Sequence, residues 1–263
     1  ILALLFMGNY AARIYSIGWN FRIKRQIYLE TMKQIIIVVF LYTKLFGQNY
    51  SISVFGFHAC DVIQTISSSD KIEFKTQNRG LFDMIWPANN YYEATFNPKD
   101  FSVKNWSKKI NQGDYKKTLS AVIDTSGTIE YNNKNKIKLS NPVFNIFTML
   151  AMVQYYDKDL LDTKWVQYEH EGQFGKARFL WSDSSNVWDG HDSILTDHYR
   201  LDIIISDSSQ GINTRDYFMN NITNDNSIKE LWVSRKNKRR IIAASIKMKY
   251  FYIKAQMVRN KEV

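Results

Sequence analysis

From Ser51 onward, apolar and polar residues alternate in short runs separated by polar turns. The run Lys71-Ile-Glu-Phe-Lys-Thr76 gives the period: Ile72 and Phe74 point one way, and Lys71, Glu73 and Lys75 the other. Such alternation predicts a half-buried strand. Runs of this kind predict strands at Ser51–Phe57, Ala59–Ile66, Lys71–Gln77, Tyr91–Phe96, Tyr115–Asp124, Thr128–Tyr131 and Lys136–Leu139. A second group follows at Lys164–Glu171, Lys176–Trp181, His198–Ser206, Lys229–Ser234, Arg240–Lys249 and Tyr252–Arg259. Asp124-Thr-Ser-Gly127 and Glu171-Gly-Gln-Phe-Gly175 supply turn chemistry between runs, and the three prolines, Pro87, Pro98 and Pro142, fall at element edges. Many short strands with this spacing predict an antiparallel sandwich or barrel. The expected fold class is therefore all-β and mainly antiparallel, an incomplete or open β-barrel.

One segment departs from the period of two. Asn141 is placed to cap, and Pro142 to open, a helix over Val143–Tyr155. Val143, Ile146, Phe147, Leu150 and Val153 then share a face, which Phe144, Met149 and Met152 widen. One short, broadly apolar helix among strands is expected to plug a barrel end or cover a sheet face.

A different apolar run precedes the strands. Met32 to Gln48 reads as a signal-peptide helix: Met32 and Lys33 make a basic start, Ile35 to Tyr42 an apolar core, and Gly47 a small residue at the cleavage point. Lys44 closes the run well short of the roughly 20 residues a spanning helix needs. Met32 is read as the initiator, residues 1–31 as an upstream extension outside the native protein, and Gln48 or Asn49 as the mature N-terminus. Residues 49–263 then form a single barrel-like domain. The expected destination is the periplasm or cell envelope of a bacterium.

This division changes the meaning of the charge. The formal net charge is +10. The first 47 residues hold Arg13, Arg22, Lys24, Arg25, Lys33 and Lys44 against Glu30, six cations against one carboxylate, so half of the excess lies there. The remaining basicity calls for no nucleic-acid partner and suits anionic lipid or an envelope polymer. A terminal aromatic strand and a continuous lipid-facing band are both missing, which argues against an integral outer-membrane barrel and for peripheral or no membrane association. The single Cys60 excludes an internal disulfide and reads as a buried small hydrophobe.

Candidate chemistry is sparse. Trp188-Asp-Gly-His191-Asp192 and Asp197-His198-Tyr199-Arg200-Leu201-Asp202 bring two imidazoles and several carboxylates into a short stretch. His191, Asp192, Asp197 and His198 are the residues a divalent metal could use, as imidazole and carboxylate suit zinc or manganese. The spacing matches no known metal motif, and Arg200 would oppose a cation. The other reading is a Gly/Asp-rich loop entering a strand, with His198, Arg200 and Asp202 on one face. Arg235-Lys236-Asn237-Lys238-Arg239-Arg240 reads as a charged hairpin tip. Nucleophile elbows, zinc-protease pairs and phosphate-binding glycine loops are missing from the sequence. Aromatic residues number 39 of 263, enough to line a lumen that holds an apolar ligand, or simply to fill a β core.

The order of several segments resembles an exported bacterial family, the domain of unknown function numbered 3108, over Tyr50 to Val258. The residues that carry it begin with Gly56 near the mature start and the Lys71–Gln77 strand running into Asn78-Arg79-Gly80-Leu81-Phe82. Tyr92-Glu93-Ala94-Thr95-Phe96-Asn97-Pro98, Gln112-Gly113-Asp114-Tyr115-Lys116-Lys117 and the Pro142 helix follow. Glu230-Leu231-Trp232-Val233-Ser234 leading to Arg239-Arg240-Ile241 completes the series. The resemblance implies export and an incomplete antiparallel barrel, with no activity attached. Arg235-Lys236-Asn237-Lys238 replaces the family's acidic turn, and Ile242 stands where the family has proline. The expectation is a non-enzymatic envelope protein that binds a lipid or other apolar ligand and needs no cofactor. The alternative is a metal-dependent envelope hydrolase built on His191, Asp192, Asp197 and His198.

Overall fold

The structure, a computed structural model, describes residues 46–67, 70–132, 135–139, 142–206, 211–212, 216–224, 226–236, 239–250 and 252–259. The signal-peptide segment expected at Met32–Gln48 lies outside the described residues up to Leu45, and so does the upstream extension at 1–31.

Among the described residues, fifteen strands form one sheet. They are β1 (Phe46–Val54), β2 (Phe57–Ser67), β3 (Lys71–Asn78), β4 (Asn89–Phe96), β5 (Val103–Gln112), β6 (Tyr115–Ile123), β7 (Thr128–Tyr131) and β8 (Asn135–Lys138). The remainder are β9 (Val143–Phe144), β10 (Val166–His170), β11 (Gln173–Trp188), β12 (Ser193–Ile205), β13 (Ile228–Ser234), β14 (Ile241–Lys247) and β15 (Tyr252–Val258). The order in the sheet follows the chain, with β1 hydrogen-bonded to β15 in the middle and β8 and β9 at the two edges. All pairs are antiparallel except β9 with β10. Consecutive strands thus circle an interior, and the unclosed seam lies between β8 and β9, which are also neighbours in the chain. The open antiparallel barrel expected from the alternation is present.

The pleat explains what lies inside. Gln48, Gln64, Phe74, Tyr92, Lys108 and Leu119 stand opposite one another across β1 to β6 and are all buried. Alternate residues, such as Lys75 and Gln77, face out. Ser51–Phe57 is not one strand, because the chain reverses at Phe55-Gly56. Strand β5 gives no clean alternation, since its inner face includes the polar Lys108 and Gln112. Polar exposed positions from Ser182 to Ser184 likewise hide the continuation of β11 to Trp188.

Four short helices occur among the described residues instead of the one expected: α1 (Gly80–Ile85), α2 (Ile146–Met152), α3 (Lys158–Leu161) and α4 (Tyr217–Thr223). The expected Val143–Tyr155 helix is the shorter α2, because Val143 and Phe144 pair with β10 as strand. Its cap is Asn145, not Asn141, a residue outside the described set. The Asn145 side chain accepts from Thr148 N at 2.9 Å while Asn145 N donates to Thr148 Oγ1 at 3.2 Å. This reciprocal pair satisfies two donors at the helix start. Ile146, Phe147, Met149 and Met152 are buried around the helix, so α2 plugs the barrel interior rather than covering an outer face.

Candidate functional site

The barrel is partly hollow, and the register says why. Leu231, Ala244, Ala255, Ile52, Cys60 and Asn78 stand opposite one another across β13, β14, β15, β1, β2 and β3. All six line a cavity of about 330 Å³. Three of them are alanine or cysteine, too short to reach the far wall, and this row of small residues leaves the space. Ile146, Phe147 and Leu150 of α2 and Phe218 and Ile222 of α4 line it from within. Phe82 of α1 and Trp86 line it at the barrel end where the β1–β2, β3–β4 and β14–β15 connections lie. Burial pushes the Cys60 thiol up to about 12, so it lines the cavity as a neutral, weakly polar group.

Polar groups meet this apolar wall along one side. Asn90 Nδ2 donates to Thr76 Oγ1 at 3.2 Å. Gln112 is buried and also lines the cavity; its Nε2 lies 3.5 Å from Asp216 Oδ1, and its Oε1 has no partner. A buried acceptor left unsatisfied costs about 1–3 kcal/mol, so an orphan beside a cavity is a recognition feature.

Behind Gln112 runs a buried ionic network. Lys108 Nζ pairs with Glu171 and with Asp216 Oδ2, the latter at 3.2 Å. Tyr92 donates its hydroxyl to Asp216 Oδ1 at 3.0 Å, and His170 Nε2 lies 3.0 Å from Glu171 Oε1. Burial pushes the Glu171 carboxyl up, but His170 and Lys108 together more than offset this and hold it at about 2. The neighbouring Glu169 accepts from Tyr131, from Trp106 Nε1 at 3.1 Å and from Gly172 N at 3.0 Å. Burial outweighs those bonds and raises its carboxyl. Glu169 belongs to β10, next to the edge strand β9, whereas Trp106 and Tyr131 belong to β5 and β7. These side chains therefore stitch across the seam that the backbone leaves open.

The metal candidates are dispersed. His191 and Asp192 occupy the exposed β11–β12 turn, with His191 Nδ1 3.1 Å from Asp192 Oδ2. Asp197 is buried and bonded to Arg235 Nε at 2.7 Å and Arg239 Nη1 at 3.2 Å. His198 faces outward, stacked on Trp232 with ring centroids 4.5 Å apart. Arg200 and Asp202 share that outer face and pair at 2.6 Å, while Tyr199, Leu201 and Ile203 are buried. Among the described residues, no three His, Cys, Asp or Glu side chains gather where an ion could sit. The basic segment at 235–240 does connect β13 to β14, with Asn237 and Lys238 outside the described residues. Two of its arginines, Arg235 and Arg239, turn back onto Asp197, Arg239 largely covered and Arg235 still exposed.

Sequence reasoning missed Lys108, Gln112, Glu169, Glu171 and Asp216. The triplet Glu169-His170-Glu171 before Gly172 was the available signal, since two acids and a histidine are costly at a strand end unless partnered. Local sequence marks Asp216 only as a cap for α4, because its buried side-chain partners come from β4 and β5.

No protein-family model matches the sequence, and neither does any curated protein. A solved crystal structure does: a β-barrel-like protein of the domain of unknown function DUF1849 from Brucella abortus, at 8% identity and a TM-score of 0.50, over 81% of this chain and 95% of that one. The similarity is one of fold, to a domain of unknown function, and does not extend to the family numbered 3108.

Proposed function

We propose that this protein is a non-enzymatic binding module that takes an apolar ligand into its barrel lumen. The observation that carries the reading is the cavity of about 330 Å³ lined by the Ala244, Ala255 and Cys60 row. Its size falls at the lower end of small-molecule sites, roughly 300–1,000 Å³, and suits an acyl chain or a compact apolar molecule. The orphan Gln112 Oε1 adds one requirement, a hydroxyl or protonated carboxyl on the ligand to donate to it.

Fluorescence titration of the full chain with N-phenyl-1-naphthylamine, a neutral apolar probe, tests the reading. Enhancement is expected with the wild type and a loss of at least about tenfold in affinity with Ala255→Phe, which fills the lumen. Equal affinity in both proteins would overturn it. Native mass spectrometry of protein recovered from cells would then weigh the resident ligand.

Export to the cell envelope belongs to the same proposal and rests on the Met32–Gln48 pattern. Cleavage after Gly47 would leave Gln48 first, a buried residue whose Nε2 donates to Gln154 Oε1 at 2.6 Å. N-terminal sequencing of the protein from cells decides this part; intact residues 1–47 would end it.

A further inference from the structure

The turn between β1 and β2 spends backbone strain on an exposed ring. Val54 pairs with Phe57, and the two residues between them, Phe55 and Gly56, have φ of 53° and 83°. Asn, Asp or Gly normally takes the first of these positions, since a bulky residue is strained in the left-handed region. Phenylalanine takes it here and stands 68% exposed.

The same barrel end carries more of the kind. Helix α1 buries none of its residues, and Leu81, Met84 and Ile85 are exposed, Ile85 at 83%. It is clasped from below: Asn78 Nδ2 donates to Trp86 O at 2.8 Å and Asn78 N to Ala88 O at 3.0 Å. The helix is thus fixed in place with its apolar side chains outward. Phe57 and, in the β14–β15 turn, Tyr250 are exposed beside them. These tips surround the end where Phe82 and Trp86 line the lumen, so the apolar rim is continuous with the apolar cavity. Cations stand at the same end. Lys247, Lys249 and Lys116 are exposed, and Lys249 Nζ lies 5.0 Å from the centre of the Tyr250 ring.

We propose that this end of the barrel docks on an anionic lipid bilayer. Apolar tips enter the headgroup boundary while the lysines meet lipid phosphates, the division that interfacial segments use. Isolated tips from separate turns, backed by cations, fit a soft anionic interface better than the flat complementary face a protein partner needs. Passage of an acyl chain from the leaflet into the lumen is the consequence; that step rests on the ligand reading above, whereas docking does not.

Flotation of the full chain with vesicles tests it, using phosphatidylcholine with phosphatidylglycerol as the minor component, and phosphatidylcholine alone. Wild type is expected to float with the anionic vesicles, less so at high salt. Phe55→Asn and the pair Met84→Ser with Ile85→Ser should each lower binding about tenfold. Phe55→Asn places the preferred residue in the turn and should fold at least as stably, so its loss of binding cannot be a loss of structure. Phenylnaphthylamine affinity should be unchanged in these variants. No flotation of wild type, equal flotation of the variants, or a wild-type dimer that they convert to monomer would overturn the docking. Flotation without probe uptake would keep the docking and remove the lumen reading; probe uptake without flotation would do the reverse.

Discussion

Asp216 Oδ2 lies 3.2 Å from Lys108 Nζ, a contact between residues 108 positions apart. The other oxygen of the same carboxylate accepts from Met219 N at 3.2 Å, which makes Asp216 the cap of α4. One buried side chain thereby fixes the helix that lines the lumen to the β5 wall.

Asp216→Ala is expected to destabilise the protein by about 3–5 kcal/mol, because it removes a partner from a buried ammonium. A further loss of about 1 kcal/mol comes from the missing cap. Lys108→Met alone should cost a similar amount, since it leaves Asp216 and Glu171 facing each other without the cation. The double variant Lys108→Met with Asp216→Ala should lose much less than the sum of the single losses. Urea unfolding of the four proteins measures this coupling; strict additivity would show that the pair is not energetically joined.

The adjacent acids give opposite pH dependences. Glu171 is held at about 2, below its ordinary 4.5, so its contribution is full above pH 4.5 and disappears as pH falls toward 2. The shift corresponds to roughly 3 kcal/mol. Glu169 is raised, so its folded form keeps a proton that the unfolded chain loses above 4.5, and it favours folding at lower pH. Thermal unfolding across this range should show stability rising modestly from neutral pH toward 4.5 and dropping steeply below. Glu171→Gln should flatten the acid limb and Glu169→Gln the upper one. A profile unchanged by either substitution would place the titration elsewhere.

The sheet was largely legible because its outer face is polar and its inner face apolar, as in Lys71–Asn78, where the period of two survives intact. Legibility failed where the interior is itself polar. Lys108 and Gln112 occupy inner positions of β5 and erase its alternation, although they belong to the candidate site. The lumen could not be read either, since Ala244 and Ala255 are unremarkable in sequence and become a cavity only when the register sets them opposite each other. The His191–His198 stretch drew notice through residue type alone. Strand geometry sends Asp197 inward to two arginines and His198 outward to Trp232.

Gly175 occupies a position where the backbone itself leaves no room. A Cβ there would lie 1.9 Å from the carbonyl oxygen of Ile204 on the paired strand β12. Gly175→Ala must therefore push β11 and β12 apart at the lumen end or unpair them. A loss of several kcal/mol is expected, well above the ordinary range of about 0.5–3 kcal/mol for a point substitution. Faster hydrogen exchange at the amides around Ile204 should accompany it. Stability within about 1 kcal/mol of wild type would mean that the two strands separate there at little cost.

Gln112→Leu separates two roles of one side chain. In the empty protein the substitution removes a buried acceptor without a partner and sacrifices only the long contact to Asp216, so stability should rise by up to about 1–2 kcal/mol. In the bound state it removes the group that would accept from a ligand hydroxyl. A long-chain alcohol should then displace phenylnaphthylamine no better than the alkane of equal length, whereas wild type should favour the alcohol by about fivefold to tenfold. The ratio of the two displacement constants is the measurement, because it cancels any general change in lumen volume. A ratio that stays the same in Gln112→Leu would assign the donor contact to a different residue, with the Asn90 and Thr76 pair on the same wall next to be replaced.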